Sequence, residues 1–188
     1  MLSYFPSFTA WEAEHKSVDS NAALSAALDR ANQADGDLLS ETDATVLVRR
    51  DDLSLNPGHR IGSRLLEISQ YAVKPGHRKE WEDLVKMVID GYKKGVPEAH
   101  WVMYEEAYGT PGNRFVVITS VRSGEELDAE FASGKKFEDA MGEDGMKKMR
   151  DLEASCMESE QSNLFAIDPK MSYPPDALVK AEPDFWKR

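Results

Sequence analysis

The chain has 188 residues, of which 41% are hydrophobic, enough for one or two small domains with real cores. A net charge of −11 opposes phosphate backbones, which take clustered Lys and Arg, and so excludes nucleic acid as a partner class. The lone Cys156 rules out an internal disulfide and a cysteine-based zinc site, and no apolar run approaches the roughly 18 residues of a membrane span.

From the start, Leu2 to Phe5 reads as the end of a strand, and Ser7 to about Glu14 as a short helix. Asn21 to Leu39 follows as a long helix, and Thr45 to Val48 as a strand. Asp51 to Ser63 is the natural linker, because Asn56-Pro57-Gly58 breaks regular structure. A strand is then expected over Arg64 to Val73, closed by Lys74-Pro75-Gly76. From His77 to Lys94 the residues Trp81, Leu84, Val85, Val88, Ile89 and Tyr92 fall on one helical face, and Gly95 and Pro97 stop that helix. Ala99 to Tyr108 is a second strand, joined by the turn Gly109-Thr110-Pro111-Gly112 to a third over Arg114 to Val121. Glu125 to Ala132 predicts a short helix. Phe137, Met141, Met149, Leu152 and Cys156 mark a longer one, interrupted near Gly142 and Gly145. Asn163 to Ile167 is the last strand. From Met171 onward, Pro174, Pro175 and Pro183 predict an extended tail whose Phe185 and Trp186 pack along a surface.

The order β-α-β-β-α-β with a tight central hairpin is the ferredoxin-like arrangement, an α+β fold. Residues 1–50 repeat its second half: SFTAWEAE answers SGEELDAE, and TVLVRRDDLSL answers NLFAIDPKMSY. The offset is 116 at the Ser7/Ser123 pair and 118 at Ser54/Ser172. The expected organisation is a partial repeat over 1–50, a linker over 51–63, a complete repeat over 64–173 and a tail over 174–188. The last two strands are apolar on both parities, so both faces of the sheet need cover, and helices supply only one. A homodimer packing the complete repeats sheet against sheet meets that need, with the partial repeats at its periphery or exchanged. The rival expectation is an upstream segment that completes a barrel within one chain. As it stands the chain has no basic start leading into an apolar stretch, which points to the cytoplasm, whereas an upstream signal segment would mean export.

The strand ending in Val73-Lys74-Pro75-Gly76, the helix after it with Trp81 four residues in, and the two-copy layout resemble the dimeric α/β-barrel superfamily. That group holds antibiotic-biosynthesis-type monooxygenases, NIPSNAP-like proteins and stress-responsive barrels. AHWVMYEEAYGTPG, ASGKKFEDAMGEDG, ESEQSNLFAIDPKMSY and PDFW also resemble a group of acidobacterial proteins with longer chains. The resemblance implies a barrel whose interior is lined by the sheet face without helices. It implies little about chemistry, because this fold hosts oxygenases, isomerases, haem enzymes and proteins without activity. The Asn, Trp and His set of the haem-degrading members has no counterpart here: the first strand lacks Asn and the second long helix lacks His.

The densest polar and aromatic cluster in any expected strand is His100, Trp101, Tyr104, Glu105 and Glu106. Alternation puts His100, Tyr104 and Glu106 on one face and Trp101, Met103 and Glu105 on the other. His100, Tyr104, Trp101, Tyr71 and Asn163 form the candidate pocket. An imidazole and a phenol in an apolar cavity suit acid–base work or ligand orientation, although a lone histidine in a packed strand is ordinarily just hydrogen-bonded. His59 and His77 sit in repeated Pro-Gly-His-Arg tetrapeptides, an anion-site pattern at a helix start or a coincidence of two turns. Gly142-Glu143-Asp144-Gly145 lacks the dinucleotide-binding order, and no His pair has metal-site spacing, so no cofactor or metal is expected. The expected function is a small-molecule binding or structural barrel without catalysis. The alternative is a cofactor-independent monooxygenase or isomerase acting on an aromatic or lipophilic molecule inside it.

Overall fold

The computed structural model describes residues 2–36, 38–58, 61–109 and 112–187. Contacts divide the chain into two compact units, Met1–Ala44 and Thr45–Arg188.

The smaller unit is a pair of helices. α1 (Phe8–Ser20) starts on Ser7, whose hydroxyl accepts from the Ala10 N–H at 3.1 Å. Asn21 closes α1 and opens α2 (Ala22–Gly36), accepting from the Leu24 N–H at 3.1 Å. α1 thus runs to Ser20, past the expected end near Glu14, and closes with the Asn21 N–H donating to the Val18 carbonyl. Neither helix buries a residue, and Phe8 and Trp11 stay exposed, so local caps rather than a core hold this unit. Leu2 to Phe5 forms no strand, having no ladder to join.

The larger unit contains β1 (Val46–Arg49), β2 (Leu65–Val73), α3 (Arg78–Gly95), β3 (Val102–Tyr108), β4 (Arg114–Val121), α4 (Gly124–Cys156), β5 (Met157–Ala166) and α5 (Asp176–Ala181). Its sheet runs β1-β3-β4-β2-β5, antiparallel throughout. Without β1 this is the ferredoxin-like order, with α3 and α4 as the two crossovers. The fold is therefore α+β and ferredoxin-like, with a fifth strand on the edge of β3. β1 belongs with this unit, although its sequence reads as the end of the partial repeat.

α3 forms where the apolar spacing predicts it and buries Trp81, Leu84, Val85 and Ile89. Trp81 lies between the rings of Tyr71 and Phe115, at 5.0 and 5.4 Å. Each such side chain withdrawn from water contributes about 1.5–3 kcal/mol. The expected linker turns out to be core. Asp51–Leu53 forms one 3₁₀ turn, Leu53 and Leu55 are 0% and 1% exposed, and Leu55 exchanges backbone hydrogen bonds with Trp101. α4 starts at Gly124, capped by the Ser123 hydroxyl much as Ser7 caps α1, and runs unbroken through the expected gap before Phe137. It kinks at Gly142, the expected interruption, where φ is 67°. β5 begins six residues before the expected strand, because MESEQS pairs with β2 while leaving its polar side chains in water. The tail contains a helical turn, α5, rather than being extended throughout; Pro175 only precedes it. Phe185 and Trp186 are half-buried.

α3 and α4 approach closely at Gly95, where a Cβ would lie 2.5 Å from the Lys136 carbonyl and 2.9 Å from the Ala140 methyl. Gly95→Ala is expected to lower stability by about 1–3 kcal/mol in urea unfolding, because backbone has to move. Gly134→Ala meets nothing within 4 Å and should raise stability by about 0.5–1 kcal/mol. Equal effects at the two sites would contradict this packing.

Candidate functional site

Register assigns every strand residue to a face. Val102, Ile118, Ile68 and Asn163 form one row across β3, β4, β2 and β5, and Tyr104, Val116 and Gln70 form the next. The opposite parity carries Met103, Phe115, Val117, Tyr71 and Val73, which pack in the core with α3. One face of the sheet is thus helix-covered. On the other, which we call the open face, Leu66, Ile68, Val102 and Ile118 are half-exposed and Phe165 is 49% exposed. Val116 is buried there between its cross-strand neighbours Tyr104 and Gln70.

The five candidate pocket residues split between these faces. His100, just before β3, shares the parity of Val102 and Tyr104, and its Nε2 lies 2.8 Å from the Ser120 carbonyl. A carbonyl only accepts, so Nε2 carries the proton. Tyr104 and Asn163 are half-buried on the same face. Trp101 points the other way, donating its indole N–H to the Leu53 carbonyl at 3.0 Å with its ring against Tyr92. Tyr71 is also on the helix side. Burial first, and then the nearby Glu160 carboxylate, push its hydroxyl well above the usual tyrosine range. The structure brings His100, Tyr104 and Asn163 to one face and leaves Trp101 and Tyr71 in the core behind it.

His77 sits at the cap of α3, with Nδ1 2.6 Å from Glu80 Oε2; that oxygen also accepts from the Ser155 hydroxyl at 2.8 Å. A carboxylate beside the imidazole opposes an anion there. His59 lies outside the described residues, as do Thr110 and Pro111 of the hairpin turn.

The most connected polar group was not legible from spacing. Arg50 donates to Asp52 at 2.8 Å, to Glu105 at 2.7 Å and to Glu82 at 3.0 Å. Arg78 donates both terminal nitrogens to Glu105. Burial pushes the Glu105 carboxyl up, but hydrogen bonds from Arg78 and Arg50 outweigh it and hold the group below the usual carboxylate range. The run Arg49-Arg50-Asp51-Asp52 was the available signal, without its distant partners. The network pairs each arginine with carboxylates and clamps the segment after β1 onto α3 and β3, a structural task.

Two surface depressions, of about 600 and 550 Å³, lie along Asn32–Thr42 and between α3 and α4; neither touches His100 or Tyr104. Among the described residues, no three His, Cys, Asp or Glu side chains gather as metal ligands, and no helix is long and apolar enough to cross a membrane.

No family model matches the chain, and no curated protein does. Among solved structures, the chain is similar to the PA3566 protein of Pseudomonas aeruginosa, at 9% identity and a TM-score of 0.38, over 58% of this chain and 98% of that one. It is also similar to an uncharacterised NIPSNAP-like domain protein of Burkholderia xenovorans, at 13% identity and a TM-score of 0.43, over 60% and 91%.

Glu105→Ala is expected to cost about 1–3 kcal/mol at pH 7, because it strips a partner from two arginines, one of them partly buried. The folded carboxyl is depressed, so its contribution is present above the unfolded value of about 4.3 and is lost as pH falls through the folded one. Urea titrations at pH 7 and pH 3 should therefore show the gap between wild type and variant narrowing in acid. A gap independent of pH would contradict the assignment.

Proposed function

We propose that this protein is a small-molecule binding or structural barrel without catalysis, built by two copies of the chain packing their open sheet faces together. The observation that carries the reading is the open face itself. Leu66, Ile68, Val102, Ile118 and Phe165 form a contiguous apolar strip on it, and such strips mark interaction surfaces. His100, Tyr104 and Asn163 add a few polar groups to that strip, the composition of a site that orients a small apolar ligand.

β5 adds support. It is a ten-residue outer strand with no Pro, Lys or Arg. Its charges, Glu158 and Glu160, sit in its first half and leave Leu164 and Phe165 at the other end without them; natural proteins usually blunt such an edge. A two-fold partner offers cover for the face and strands for the edge. Catalysis draws no such support. His100 commits Nε2 to a backbone carbonyl, and Tyr104 stands four residues further along, about 13 Å away. Those two groups do not converge on one reacting atom, as an oxygenase or isomerase would require of them.

Ile118→Asp places a charge in the middle of the strip without touching the helix side. Sedimentation velocity at micromolar concentrations is expected to show a wild-type dimer and a folded monomeric variant. A wild type that stays monomeric, or a variant that still dimerises, would overturn the reading.

A further inference from the structure

The end of the open face nearest His100 is where the C-terminal segment is fastened. Arg64, one residue before β2, continues the parity of Leu66 and Ile68, and its backbone extends both ladders by bonding Val121 and Ile167. Its guanidinium donates to Glu182 Oε1 at 2.7 Å and to Oε2 at 3.5 Å. The Gly62 N–H donates to Oε2 at 2.7 Å. Gly62 has φ +92°, a left-handed conformation that favours glycine, and a Cβ there would lie 3.9 Å from Glu182 Oε1. The Arg64 guanidinium carbon also sits 3.7 Å above the centre of the Phe185 ring, and Phe185 lies edge-on to Trp186. One carboxylate and one ring therefore pin residues 182–186 to the start of β2. Ser120, which binds His100, pairs with Leu66, two residues from Arg64.

The fastening is poorly suited to a permanent joint. Among the described residues, Glu182 alone in the tail makes an ion pair with the rest of the unit, Phe185 and Trp186 are half-buried, and the Trp186 indole N–H is out of water with no hydrogen-bond partner. Water would satisfy that donor as soon as the segment lifted. We propose that residues 176–187 are a releasable latch over the His100 end of the open face, which the face must shed to receive its partner copy there. The latch rests on the reading of the open face as the pairing surface. Its occupant is the chain's own tail, and its fastener is the Glu182 carboxylate on Gly62 and Arg64.

Two altered chains test it. Glu182→Gln keeps the shape and removes the charge, and a chain ending at Pro175 removes the latch. Acrylamide quenching of Trp186, taken as the difference from a Trp186→Phe chain, reads whether the latch is closed; sedimentation reads self-association. Glu182→Gln should expose Trp186, and both altered chains should dimerise about fivefold to tenfold more tightly than wild type, because the pairing-competent fraction rises. Adding Ile118→Asp should abolish association in every background. An unchanged Trp186 signal in Glu182→Gln would show that the carboxylate is not the fastener. An exposed Trp186 with unchanged or weaker dimerisation would overturn the latch while leaving the pairing face standing. If no chain associates, both readings fall.

Discussion

Trp81 wedged between Tyr71 and Phe115 is the contact on which the rest depends. It locks α3 to one side of β2 and β4, and α4 then packs against α3 through Tyr92 and Phe137, whose rings stack at 4.5 Å. Once both helices are committed to one side, every residue of opposite parity faces away from them. The apolar strip on that other side is a consequence of this choice, since β4 carries Val116 and Ile118 as well as Phe115 and Val117. Helix packing and open surface are two results of one commitment.

The segment from β1 to Leu55 shows the same economy on the covered side. Four residues pair with β3, two leucines fill the core, and Arg50 ties Asp52, Glu82 and Glu105 together. Partly buried charges like these contribute when each has several hydrogen bonds and cost heavily when one partner is lost. The network therefore fixes where the chain enters the larger unit more than it adds net stability. The β1 edge is held by side chains, whereas the outer edge of β5 pairs with no strand among the described residues and carries charge only at Glu158 and Glu160.

Much of this fold was legible in the amino-acid order. α3 announced itself through six apolar residues on one face, and β2 and β4 through apolar runs bounded by turns. The misses have physical reasons. Leu53 and Leu55 lie just before Asn56-Pro57-Gly58, so a turn signal masked a short core segment. MESEQS is polar at every exposed position, and an edge strand with water on its side chains leaves no apolar alternation to read. α5 is too short to show a period and sits between prolines. At the candidate site, alternation correctly separated His100 and Tyr104 from Trp101. Tyr71 and Asn163 come from different strands, so their faces depend on register, which no single segment encodes. Which face the helices take was equally hidden, because β4 is apolar on both.

Methyl NMR on a mixture of isotope-labelled and unlabelled chains tests the pairing of open faces most directly. Intermolecular contacts are expected at the methyls of Ile68, Val102 and Ile118 and not at those of Leu84, Val85 or Ile89 in the helix-side core. Contacts confined to other surfaces, or none at concentrations where the chain is dimeric, would contradict the account.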